Sequence, residues 1–226
     1  MDGSIRLNCM TQGRVLSAAE FLLGAAIVIC HNVFRILPNE VPILFVLGWI
    51  SLRWRNGGWK AAGLVRPESW WKTLGIAVAA AAALHLGSEL AIGPLASRFW
   101  PEPEHSSQII GAATHGWKGA LTSLLVVWTF AAFGEEMDYR GYLLTRGAEI
   151  LGRSNVGYVV AMIIVAVLFG FGHYYKGPPG VADSTYSGLV LGSAYLLSGR
   201  NLWAAILAHG LADTFAVFVL FMGWAS

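Results

Sequence analysis

Seven stretches of this chain are too apolar to be left facing water, and they follow one another with little between them. A membrane span needs about 20 apolar residues, with a range of roughly 17–25. The candidates run from about 15 to 37, 41 to 54, 71 to 99, 117 to 144, 156 to 175, 185 to 197 and 202 to 224, the second and sixth being short for a span. Only 12% of the 226 residues are charged, and 56% are hydrophobic. A soluble domain carries about 25% charged residues, so there are too few charges here to clothe a water-facing surface of this size. The expected fold is all-α: a polytopic membrane helical bundle of about seven transmembrane helices (six to eight), forming a single integral membrane domain over residues 1–226. Ten tryptophans fit the same expectation, because indole rings favour the membrane–water interface.

Other classes are set aside on the same grounds. A net charge of +2 with no separate basic tract gives no reason to expect a nucleic-acid partner; the first partner implied is the lipid bilayer. Cys9 and Cys30 lack metal-ligand spacing and imply no disulfide framework. The first apolar run begins near Val15, is long enough to span, and lacks a small-x-small cleavage site at its end, so it reads as a retained span and not as a cleaved leader.

Basic residues give an orientation. Arg53, Arg55, Lys60, Arg66 and Lys72 crowd the connection after the second run. Arg146 and Arg153 follow the fourth, Arg200 precedes the seventh, and Arg6 and Arg14 precede the first. With seven spans all of these fall on one side, which the positive-inside rule makes cytoplasmic. The other side receives Pro101-Glu102-Pro103-Glu104 and the stretch from Lys176 to Asp183, in which Gly177-Pro178-Pro179-Gly180 is expected to end the fifth span. The setting expected is a multi-pass protein of a bacterial inner (cytoplasmic) membrane.

The costly residues are the informative ones. An ionisable side chain at the centre of a span costs roughly 2.5–3.5 kcal/mol on insertion scales. Glu135 and Glu136 nevertheless stand together at the end of a long apolar run, followed by Arg140. On a helix Glu136 and Arg140 are i,i+4 and can meet, whereas Glu135 points about 100° away and is left to face a cavity as a general base towards water. Phe169-Gly170-Phe171-Gly172-His173 puts a histidine about 18 residues beyond a turn near Arg153, and Glu135 lies about 18 residues before it; on antiparallel neighbours both sit ~27 Å from that turn. His209 and Asp213 are i,i+4 on the last run, where Asp213 can orient the imidazole. By the same counting His209 is only about nine residues, ~13 Å, beyond its own turn, a mismatch in depth. His85 and Glu89 form another i,i+4 pair, expected to be a packing contact, while His31, His105 and His115 sit near helix ends or in loops. Glu135, His173 and His209 are credible zinc ligands, although no His-Glu-x-x-His pattern is present.

Glu-Glu-x-x-x-Arg, then Phe-x-x-x-His, then His-x-x-x-(Asn or Asp) resembles the CPBP family, which includes type II CAAX prenyl endopeptidases, bacteriocin-processing and self-immunity proteins, and sorting-type intramembrane proteases. Glu135, Glu136 and Arg140, with Gly141-Tyr142-Leu143 continuing, match the first motif, Phe169 and His173 the second, His209 and Asp213 the third. The resemblance covers residues 117–224, the expected catalytic core. It implies an all-helical intramembrane endopeptidase in which Glu135 and His173 activate water while His209 and residue 213 support the oxyanion. It further implies Glu136 among the catalytic groups, Arg140 and Phe169 in structural support, a protein or peptide substrate, and no required metal or other cofactor. Two positions depart from the pattern: Asp138 adds a third acid, and Asp213 replaces the more familiar asparagine. An ionised aspartate only accepts hydrogen bonds, so His209 is the better oxyanion donor and Asp213 its orienting partner. The alternative from another class is a non-catalytic membrane scaffold or bacteriocin-immunity-type protein; a transporter fits less well, for want of an inverted repeat or paired broken helices.

Overall fold

The computed structural model describes the backbone of residues 3–100 and 112–224 and the side chains of 11–100, 113 and 115–224. His105 and Pro101-Glu102-Pro103-Glu104 lie outside the described residues, as do the side chains of Arg6 and Cys9. Seven long helices carry the fold, with no strand among the described residues: α1 (Gly3–Asn32), α2 (Glu40–Asn56), α3 (Trp70–Ala96), α4 (Gly116–Ile150), α5 (Asn155–Phe171), α6 (Gly177–Leu197) and α7 (Leu202–Phe221). The protein is an all-α, multi-pass membrane bundle. By length and hydropathy α1, α3, α4 and α7 each suffice to cross a bilayer, and α5 with α6 makes a fifth span when the bent pair is counted as one. Contacts separate that pair into two rods lying side by side. Gly170 meets Val181 and Thr185, Gly188 meets Ala166, and Gly192 meets Met162. The register falls along one helix as it rises along the other, which makes an antiparallel hairpin packed through small residues.

Local chemistry sets the helix starts. Asn39, Ser69, Ser154 and Asn201 each accept a hydrogen bond from a backbone N–H in the first turn of α2, α3, α5 and α7, satisfying donors that have no partner inside the helix. Gly177-Pro178-Pro179-Gly180 behaves differently from the sequence expectation. It opens α6 instead of forming an external loop, because proline is tolerated in a first turn, where its missing N–H costs nothing. The break after α5 is made by Gly172 and His173, and α6 is eight residues longer at its start than the run from 185 suggests.

α4 is the axis of the molecule. Every residue from Glu136 to Ala148 is buried, including Asp138, Arg140 and Arg146. The bilayer therefore meets apolar surface: Leu22, Trp49, Val78, Leu125, Ile163 and Phe218 are among the large side chains facing outward. Exposed tryptophans ring both ends, Trp54 and Trp71 near the basic connection and Trp100, Trp117 and Trp224 at the other end, as interface belts do.

The connection between α2 and α3 folds back into the bundle. Trp59 stacks on Phe45, Ala62 is fully buried, and the Ala62 carbonyl accepts a hydrogen bond from the Tyr195 hydroxyl. The Leu202 N–H donates to the Gly63 carbonyl at 3.0 Å. Gly63 has φ +98°, and a Cβ there would collide with the Arg200 carbonyl oxygen, so only glycine fits. This plug raises the start of α7 to the level of Gly141 in α4, whose missing side chain makes room for Trp59 and Leu202.

Candidate active site

Raising α7 removes the mismatch in depth. His209 lies seven residues, about 10 Å, beyond Leu202, while Glu136 lies five residues before Gly141, so the two climb from the same level to meet. The His209 Nδ1 and Glu136 Oε1 atoms are 2.9 Å apart, and Arg140 Nη1 reaches the same oxygen at 2.8 Å. A carboxylate held by an arginine accepts only, so Nδ1–H is the donor and the imidazole is oriented by it. Glu136 and Arg140 have almost no exposed surface. Breaking a buried pair of this kind costs about 3–5 kcal/mol. Arg140 also donates to the Gly188 carbonyl at 3.2 Å, tying α4 to α6. Asp213 stands 3.6 Å from His209 Nε2, beyond hydrogen-bond reach. Glu136 is thus the close partner of His209, where the sequence offers only Asp213.

Phe169 is the hub around which these groups turn. The Arg140 guanidinium lies 4.5 Å from its ring centre, Tyr139 meets it edge-on at 4.9 Å, and the His173 and His209 rings lie at 4.8 Å and 6.2 Å. The arginine contact is a cation–π arrangement, the Tyr139 and His209 contacts are edge-to-face, and the His173 ring is tilted. His173 follows the end of α5, and its Nδ1–H donates to the Phe169 carbonyl at 3.0 Å. A carbonyl cannot donate, so the neutral ring keeps its Nε2 lone pair free.

Glu135, Phe169, His173, His209 and Asp213 line one cavity of about 340 Å³. Glu136 does not line it; it stands behind His209. Glu135 Oε2 and Glu136 Oε2 have no hydrogen-bond partner among the described residues, and the same holds for both oxygens of Asp138, which is buried beside the site without lining the cavity. α4 is wound as π-helix over Val127–Glu135 and Met137–Leu143, and such widened turns are frequent at functional sites. Behind His209, Gly210 leaves room for the Trp128 ring, whose indole N–H donates to Thr214 at 3.1 Å. No group of three or more His, Cys, Asp or Glu among the described residues is arranged to hold a metal ion.

The first half of the chain adds groups that the motifs do not announce. His85 lines the cavity and its Nε2–H donates to the Ala212 carbonyl at 3.0 Å, not to Glu89. Asn39 and Ser88 join it in the polar wall, to which the second half adds Tyr175, Lys176 and Asp183. Glu40, buried at the start of α2, bonds Asn32 and pairs with His31 at 3.1 Å. A pattern signal existed for His85 alone, as an ionisable residue inside an alanine-rich run.

Residues 117–215 match the family model described as type II CAAX prenyl endopeptidase Rce1-like. No curated protein and no solved structure matches the chain. The matched segment is an Rce1-like domain, and the resemblance to the CPBP family drawn from the three motifs holds. At the level of the family these are CAAX proteases, peptide hydrolases that work within membranes.

Proposed function

We propose that the protein is an intramembrane endopeptidase that hydrolyses a peptide bond in the C-terminal tail or membrane anchor of a protein substrate. The observation that carries this reading is the convergence of Glu135 from α4, His173 from the end of α5, and His209 and Asp213 from α7 on one cavity. Glu135 takes a proton from water as the oxygen adds to the scissile carbonyl carbon, with His173 Nε2 accepting a hydrogen bond from the same water. His209, held from behind by Glu136 and flanked by Asp213, donates from Nε2 to the developing oxyanion. The tetrahedral adduct collapses with rupture of the C–N bond, and the proton held by Glu135 passes to the leaving amine. No step needs a metal, and cleavage is expected to persist after chelation.

The cavity lies at the end of the bundle bearing Asn39 and Tyr175, away from the basic connections. In a bacterial inner membrane that end faces the periplasm, which favours the anchor or tail of an exported protein over a cytosolic prenylated one. Purified protein in liposomes should cleave susceptible peptides, and Glu135→Gln should lower the rate by at least a hundredfold with an unchanged unfolding temperature. Full cleavage by that variant would sink the assignment. A large loss of stability in the variant, with no cleavage by the unaltered protein, would favour the scaffold reading.

A further inference from the structure

Beside the catalytic cavity lies a second hollow, about 600 Å³, between the far end of α3 and the start of α6. The two share Ser88 and Asp183 in their walls. The Ser88 hydroxyl donates to Asp183 Oδ1 at 2.5 Å, so a single hydrogen bond forms the threshold between them. The helix pair is clamped just before this point. The Tyr186 hydroxyl donates to the Ala83 carbonyl at 2.6 Å, and Gly87 provides the space, since a Cβ there would collide with that hydroxyl. Past the clamp α3 widens into a π turn at Ser88–Ile92, and Pro94 follows. The hollow lies beyond the clamp, between residues 88–97 on one side and 179–183 on the other.

We infer that this groove binds an extended juxtamembrane stretch of the polypeptide substrate, carrying a lysine or arginine, and leads it over Ser88 and Asp183 to the scissile position; this rests on the endopeptidase reading. Three observations carry it. The groove and the catalytic cavity share Ser88 and Asp183 in their walls, so an extended chain that passes over these two residues reaches both. Its floor is made of small or flat groups, Gly93, Ala96, Ser97 and Gly180, which suits a backbone better than a compact ligand. Its charged lining is Glu89 and Asp183 alone among the described residues, with no base, so a cationic side chain is attracted and an acidic one repelled. Trp100 on its rim places it at the interface level, where the residues flanking a membrane anchor lie.

The test uses the full-length protein in liposomes and two peptide sets read by mass spectrometry. One set varies length on one side of the cut, and the other varies the residue placed there among Lys, Ser and Glu. Longer peptides should be cleaved at least tenfold better than short ones, and Lys at least tenfold better than Glu. Ser97 is exposed, so Ser97→Trp should fill the groove without disturbing the core and bring the rate on long peptides down to that on short ones. Glu89→Lys, also at an exposed position, should reverse the Lys-to-Glu preference. Unaltered length dependence in Ser97→Trp, or an unaltered preference in Glu89→Lys, would overturn the groove assignment while leaving the hydrolysis reading standing. Absence of cleavage of every peptide by the unaltered protein would instead strike the endopeptidase reading itself.

Discussion

At the scale of single residues, the adjacent acids Glu135 and Glu136 occupy different environments and should fail differently when changed. Glu136 Oε1 is shared between Arg140 Nη1 and His209 Nδ1 in a place with no water access. Glu136→Gln keeps the shape but leaves Arg140 buried without a counter-charge. It is expected to destabilise the protein by about 3–5 kcal/mol, seen as a lowered unfolding temperature, and to weaken catalysis as well because His209 loses its anchor. Glu135→Gln removes a carboxylate that lines the cavity and makes no ion pair among the described residues, and should cost activity with little stability. Equal stability losses in the two variants would contradict this division. The split was partly legible in the sequence, because i,i+4 spacing announces the Glu136–Arg140 contact. The contact of Glu136 with His209 spans 73 positions and has no local signature. Asp213, visible only through its spacing, therefore stood in the orienting role that the carboxylate across the bundle fills.

At the scale of elements, the apolar runs mark seven helices, and their ends differ from the sequence expectation where two rules compete. Pro178 and Pro179 are strong helix breakers in an interior and good first-turn residues. Only the packing of α6 against α5 decides which applies. Depth counting misplaces His209 because it assumes that every connection lies at the membrane face, whereas the 57–69 connection is a plug on which α7 begins. Close approach of α4 and α7 gives this scale its own prediction. A Cβ at Gly210 would lie 2.5 Å from the Trp128 ring, so Gly210→Ala should overpack the interface behind His209 and cost about 1–3 kcal/mol. Trp128→Ala creates space in the same spot. The double variant should lose less stability than the sum of the two, because neighbours that share a space are not additive. Strict additivity in thermal unfolding of the four proteins would show that the helices part instead of clashing.

At the scale of the whole molecule, the ends of the bundle differ in charge and chemistry. One end holds an ionic network in which Arg146 pairs with Glu20 and Glu149, Arg55 with Glu20 and Glu149, and Arg153 with Glu149, together with the basic plug. The other end holds the cavity, with Asn39, Tyr175 and Lys176 at its edge. On the positive-inside rule the first end is expected to face the cytoplasm, and with that orientation the cavity opens on the opposite face. Single cysteines placed in a variant lacking Cys9 and Cys30 test this directly with a thiol reagent that cannot cross the membrane. Cysteines at Gly57 and Gly199, both at the basic end, should stay unlabelled in intact cells and react only after permeabilisation. Cysteines at Ser97 and Gly223 should react from outside. The pairs matter because α1 to α3 and α5 to α7 are tested separately, so an error in either half appears as disagreement between Gly57 and Gly199 or between Ser97 and Gly223. The reverse pattern at all four would turn the cavity towards the cytoplasm, where a prenylated C-terminal tail becomes the better substrate, and would leave the chemistry assigned to Glu135 and His173 untouched.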